Sequence, residues 1–312
     1  MTVGLLAALA WAVSTAAAAA ARPPAPLSPP DARSFATAAE AVTAVLAEGE
    51  GPPAIVAFGE YHQTLATAKI PSALHRFTVD IFPALKARMS HLVVETWMTD
   101  GRCGEAERAV TADVEKTTER PAATENEIET LLRAAVAAQV TPRILSVSCA
   151  DYEAMRGAAG VDYDKTLRLT ARALQLAILR ALGDARRAGR AGATAAGTAT
   201  ATAGAAAATV VAPRGFVAVY GGALHNDVAP AAELAPYSFA PAVGAAVLGR
   251  YVEVDLVVPE YVRASAAVRA QPWWRAYTRA HAPRGATVLV RQSARSYVVV
   301  FPAASSRPPR PR

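Results

Sequence analysis

Apolar residues recur along the chain in two alternating rhythms. Residues 53–58 form a short continuous apolar run that stops at Gly59, the pattern of a strand buried on both faces. Residues 70–86 place Ile70, Leu74, Phe77, Ile81 and Leu85 at helical spacing. An amphipathic helix is predicted there, with Pro71 in its first turn and Pro83 kinking or ending it early. A helix at 34–46, with Phe35, Ala38, Val42, Val45 and Leu46 on one side, precedes the first strand. A second strand reads at 91–96, followed by surface helices at 105–116 and 125–139. Thr124 and Glu127 have the spacing of a capping box for the second of these. A third strand is predicted at 143–149, and a long helix at 163–182 carries the stripe Leu167, Leu174, Ile178 and Leu182. Strands at 215–220 and 251–258 follow. Residues 287–291 and 296–301, separated by a short polar turn, read as an antiparallel hairpin.

Strands alternating with helices predict an α/β fold: a mostly parallel sheet flanked by helices, closed by the C-terminal antiparallel hairpin. A chain of 312 residues is long enough for one such domain, expected over 34–302. Within it, residues 185–213 are Ala, Gly and Thr with arginines near the start and no large apolar side chain before Val210. A low-complexity, disordered loop is expected there. Residues 1–21 read as a secretory signal peptide: an apolar run, an Ala-rich cleavage region, then Arg22-Pro23-Pro24. The Ala-rich half is too weakly hydrophobic for a stable membrane span. A disordered leader at 22–33 and a disordered Pro-Arg tail at 303–312 complete the expected organisation. The protein is thus expected to be exported, periplasmic or secreted. Export permits a disulfide. Cys103 and Cys149 each follow a strand-like segment, and would lie near one sheet edge if those strands are neighbours.

Composition changes this picture little. Apolar residues make up 53% of the chain, much of it alanine, and the net charge is +6. Only Lys69, Lys86, Lys116 and Lys165 are lysines; the arginines are scattered and no basic run is interleaved with aromatics. Nucleic acid is therefore not an expected partner, and a small-molecule or peptide substrate is.

In open α/β sheets the ligand site lies beyond the carboxyl ends of the strands. Three predicted strands carry ionisable groups there: Glu60 and His62 after the first, Glu95 at the end of the second, and His225 after Gly221-Gly222-Ala223-Leu224. Asp151, past the third strand, is a further rim carboxylate. A Glu following Leu92-Val93-Val94 is costly unless paired or solvated in a cleft. Two imidazoles and two carboxylates can run general acid–base chemistry on a water or ligate a metal. His75, His91 and His281 read as structural or solvent-facing, and Trp273-Trp274 as packing.

Gly59-Glu60-Tyr61-His62, the later Glu95 and Gly222-Ala223-Leu224-His225 together resemble the Gly-Glu-x-His … Glu … Gly-x-x-His signature of the erythromycin-esterase/ChaN-like superfamily. The resemblance spans residues 54–258. It implies an esterase-like or metal-dependent hydrolase acting on an ester, lactone or amide, in which His62 activates water. Glu60 and Glu95 would orient or charge-balance His62, and His225 would polarise the substrate or bind a metal. Backbone N–H groups after Gly59 or Gly222 are the expected oxyanion donors. The resemblance leaves the cofactor open; Glu60, His62, Glu95 and His225 are the candidate ligands for a divalent metal. The alternative is non-covalent haem in an iron-uptake protein, with His62, His225, Tyr61 or Tyr220 as axial ligands. Two features of the family are missing: the lipoprotein cysteine of its haem-binding members and the long helical insertion of its macrolide esterases.

Overall fold

The computed structural model describes residues 30–48, 51–157, 160–199, 215–283 and 285–304. The expected signal peptide and most of the expected leader and tail lie outside the described residues. The strands are β1 (Asp31–Phe35), β2 (Ile55–Glu60), β3 (Met89–Trp97), β4 (Thr141–Leu145), β5 (Arg156–Gly157), β6 (Gly160–Val161), β7 (Phe216–Gly222), β8 (Tyr251–Val257), β9 (Thr287–Arg291) and β10 (Ser296–Val300). The helices are α1 (Ala38–Glu48), a helical stretch α2 over residues 73–85, α3 (Gly104–Thr118), α4 (Ala123–Ala137), α5 (Cys149–Met155), α6 (Tyr163–Ala199), α7 (Ala223–Asn226), α8 (Ala240–Ala246), α9 (Pro259–Val262), α10 (Ala266–Ala270) and α11 (Pro272–Arg279).

Eight strands form one sheet in the order β1-β9-β10-β8-β2-β7-β3-β4. The pairs from β10 through β4 are parallel, and β9 pairs antiparallel with both β10 and β1. This is the expected mostly parallel α/β sheet with its C-terminal hairpin. Every residue of β2 is buried, because helices cover both faces of the sheet. Val56, Phe58, Leu92 and Val94 face one core layer with α1, α2 and α4. Ile55, Ala57 and Val93 face the other, against Leu174, Ile178 and Ala181 of α6.

Several elements depart from expectation for identifiable reasons. Residues 31–33 are not a disordered leader: Asp31–Phe35 pairs with β9 and covers that edge of the sheet. The first helix consequently starts at Ala38, where Thr37 accepts the Glu40 N–H at 3.1 Å and the Glu40 carboxylate accepts the Thr37 N–H at 3.3 Å. Pro83 does not end α2. Its missing N–H and bulky ring are absorbed by a wider π turn at Phe77–Ile81, after which Phe82–Leu85 returns to α geometry. The Thr124–Glu127 capping box does not form; Glu127 instead accepts the Ser72 hydroxyl, tying α4 to the start of α2. The third strand ends at Leu145, and Cys149 opens α5. The long helix runs on to Ala199, into the segment expected as a loop, because alanine is the best helix former and the amphipathic start has already met the nucleation cost. The rest of the expected loop, 200–213, lies outside the described residues. Among the described residues no helix is long and apolar enough to cross a membrane.

Strands β3 and β4 are neighbours, and Cys103 and Cys149 beyond their ends form a disulfide with Cα atoms 5.0 Å apart. The bond links the start of α3 to the start of α5 across 46 residues of chain. Closing a loop of that length in the unfolded chain is worth about 4 kcal/mol on the chain-entropy model. The Cys103→Ser/Cys149→Ser double variant should therefore lose up to about 4 kcal/mol in urea unfolding. An unchanged midpoint would show that the bond contributes nothing to the fold.

Candidate active site

Strand order brings the expected residues together. β2, β7 and β3 are consecutive, and the register sets Phe58 beside Tyr220, Gly59 beside Gly221 and Glu60 beside Gly222. Val94 pairs with Tyr220, so Glu95 emerges one residue beyond, over Gly221. The glycines are required by this crowding. A Cβ on Gly221 would lie 2.5 Å from Glu95 Oε2 and 2.9 Å from Glu95 Cβ. On Gly222 it would lie 3.0 Å from His62 Nε2, and on Gly59 2.7 Å from the Ala223 backbone. Side chains and α7 thus sit directly on strand backbone.

Glu60 is buried and uses both of its oxygens. Oε1 lies 2.7 Å from His62 Nδ1, and Oε2 accepts the Tyr220 hydroxyl at 2.5 Å. Burial pushes the Glu60 carboxyl up, but the His62 hydrogen bond, the charges of His62 and Arg120 and the Tyr220 hydrogen bond outweigh it and hold the group below its usual range. Glu60 is therefore a carboxylate, and the His62 Nδ1 facing it carries a proton. Phe77 supports the arrangement, its ring 4.9 Å from both Phe58 and Tyr220.

Glu95 and His225 form a second pair. Glu95 Oε2 accepts the Gly222 N–H at 2.6 Å, while Oε1 lies 3.7 Å from His225 Nε2. His225 Nδ1 is 2.6 Å from the Tyr237 carbonyl and so donates to it, which leaves Nε2 facing the carboxylate. All four expected site residues therefore meet around Gly221 and Gly222, as two linked Glu–His pairs. Asp151 does not join them: it caps α5, accepting the Ser148 N–H at 2.9 Å. Among the described residues no three His, Cys, Asp or Glu side chains converge closely enough to hold a metal ion. The four candidate ligands named from the sequence are not drawn into such a group.

Arg120, in the connection between α3 and α4, was not legible in the sequence. Its Nη2 lies 2.7 Å from both ring nitrogens of His62. At equal distance from both nitrogens, Nη2 lies over the ring between them and not on the in-plane lone pair of Nε2. The guanidinium closes a cleft also lined by Glu60, His62, Glu95, Tyr220 and Gly221, with Leu74, Val94 and Ile128 as its apolar wall. The space left inside is about that of one water molecule.

A second group of carboxyls lies on β8 beyond β2. Asp255 pairs in register with Gly59, and Glu253 accepts the Val228 N–H at 3.0 Å. Burial and the Asp227 charge push Asp255 up to about 8. Burial, then the charges of Asp255 and Asp227, drive Glu253 well above the carboxylate range. Burial followed by the charges of Asp255, Glu253 and Asp227 also raises Tyr61, which places its hydroxyl near this group.

No family model, curated protein or solved structure matches the chain.

A carboxyl raised above its unfolded value, about 3.9 for Asp, binds its proton more tightly when folded. Its contribution to stability is complete below that value and declines as pH rises to about 8. Asp255→Asn should accordingly melt with wild type near pH 4 and above it at pH 9. A variant that melts below wild type at pH 9 would show that the Asp255 charge is compensated in the fold.

Proposed function

We propose that this protein is an exported hydrolase in which Glu60 and His62 activate a water against an ester, lactone or amide carbonyl. The observation that carries the reading is the fixed orientation of His62. Glu60 holds Nδ1–H at 2.7 Å, which directs the Nε2 lone pair into a cleft with space for about one water. The water takes the Nε2 lone pair, beside which Arg120 lies in the free site. As its oxygen bonds to the carbonyl carbon, its proton passes to Nε2 and the carbonyl pair moves onto oxygen. Collapse of the tetrahedral adduct breaks the bond to the leaving group, which takes the proton back from Nε2. Glu60 stabilises the imidazolium formed between these steps, and Tyr220 keeps Glu60 in place. Glu95, fixed by the Gly222 N–H and backed by His225, forms the opposite side of the cleft.

The resemblance to the erythromycin-esterase/ChaN-like superfamily supports the same reading, and the Cys103–Cys149 bond suits an oxidising compartment outside the cytoplasm. No observation favours the haem alternative. The Tyr220 hydroxyl is committed to Glu60, and His225 is held between Tyr237 and Glu95.

His62→Ala should lower turnover of a susceptible ester about 10²- to 10⁴-fold while circular dichroism and melting stay those of wild type. Glu95→Gln should also lose activity. Full turnover in either variant, or a Soret band in the purified wild-type protein, would remove the hydrolase assignment.

A further inference from the structure

The hydrolytic step needs hydrogen-bond donors at the oxygen where negative charge develops. The N–H groups of the two glycines next to the expected donors are already engaged. The Gly222 N–H is held by Glu95 Oε2 at 2.6 Å, and with the Asn226 amide turned to satisfy both of its ends, the Gly59 N–H lies 3.1 Å from its oxygen and its nitrogen donates to the Ala223 carbonyl. The Tyr220 hydroxyl is committed to Glu60.

Arg120 is in the opposite situation. Among the described residues it has no carboxylate within ion-pairing distance, and its hydrogen-bond partner is the His62 ring. A guanidinium has five N–H donors, and a contact with one imidazole ring leaves most of them unused. Its position is also set by the backbone. Glu119, immediately before it, takes a left-handed conformation (φ 47°) after α3, and the Glu119 carbonyl accepts the Leu65 N–H at 2.9 Å. That bond ties the α3–α4 connection to the loop after β2, and so ties Arg120 to His62.

We propose that Arg120 is a catalytic residue: its guanidinium passes from the His62 ring to the carbonyl oxygen of the bound substrate and holds the charge that forms there. The inference rests on the hydrolase reading. Geometry requires a donor of this kind here, because the attacking water and the oxyanion share one carbon atom. A group 2.7 Å from Nε2 is within reach of that oxygen once a water and a carbonyl enter. The exchange also explains why a cation lies against the proposed base in the free site. Substrate binding moves it from the imidazole ring to the oxygen that needs it.

The test uses two probes on wild type, Arg120→Gln and Arg120→Lys, each checked for wild-type melting. The substrate is 4-nitrophenyl butyrate. The second probe is ethyl butylphosphonate, a tetrahedral monoanion whose binding is read by calorimetry without turnover. Arg120→Gln should lower kcat about 10²- to 10³-fold with little change in KM, and Arg120→Lys should recover part of the loss. Phosphonate affinity should fall in parallel with kcat. An unchanged kcat, or a loss confined to KM with phosphonate affinity intact, overturns the proposal. If wild type does not hydrolyse the ester, the hydrolase reading falls by itself and the phosphonate decides for Arg120. Arg120-dependent binding keeps it as the residue that holds the anion, and equal affinity in wild type and Arg120→Gln overturns it.

Discussion

The site depends on the buried carboxylate of Glu60. A charged group at the end of a fully buried strand costs several kcal/mol unless its oxygens are satisfied. The fold satisfies them from two directions. Tyr220 reaches it from the neighbouring strand β7, and His62 from two residues further along its own chain. Each partner is held in turn: Tyr220 packs against Phe77 of α2, and His62 is covered by Arg120. The carboxylate thus links the packing of the sheet to the orientation of the imidazole, and the chemistry follows from that link.

Backbone without side chains makes the second half of the site. Gly221 and Gly222 let Glu95 and His62 approach strand β7 to distances that a Cβ would block. The Gly222 N–H, at the end of the strand, is the donor that fixes Glu95. Glu95 then stands between His62 on one side and His225 on the other. The sequence Tyr220-Gly221-Gly222 therefore does three jobs in three residues: it supplies a hydroxyl to Glu60, space for Glu95 and an amide to hold it.

Much of this was legible in the chain. Continuous apolar runs alternating with helical periodicities identify a parallel sheet, and the carboxyl-end rule then selects Glu60, His62, Glu95 and His225. What the pattern could not show was how they pair, because strand order is a tertiary property and β7 enters between β2 and β3. Asp151 sits at a similar topological position, yet its neighbour Ser148 makes it a helix cap. Arg120 was invisible because Glu119-Arg120-Pro121 has the composition of any surface connection. The contact of Leu65 with Glu119 brings it to the site. The extended α6 and the short β1 were misread for a related reason: alanine-rich and polar segments carry little periodicity, and their structure is decided by neighbours.

The central claim is that Glu60 fixes the His62 tautomer and leaves Nε2 as the proton acceptor. Nitrogen-15 NMR of the histidine rings reads this directly. The wild-type protein should show Nδ1 of His62 protonated and Nε2 with the shift of a lone-pair nitrogen, and Glu60→Gln should shift that resonance pattern toward a mixture of tautomers. A proton residing on Nε2 in the wild-type protein, or a His62 pattern indifferent to Glu60→Gln, would contradict the account.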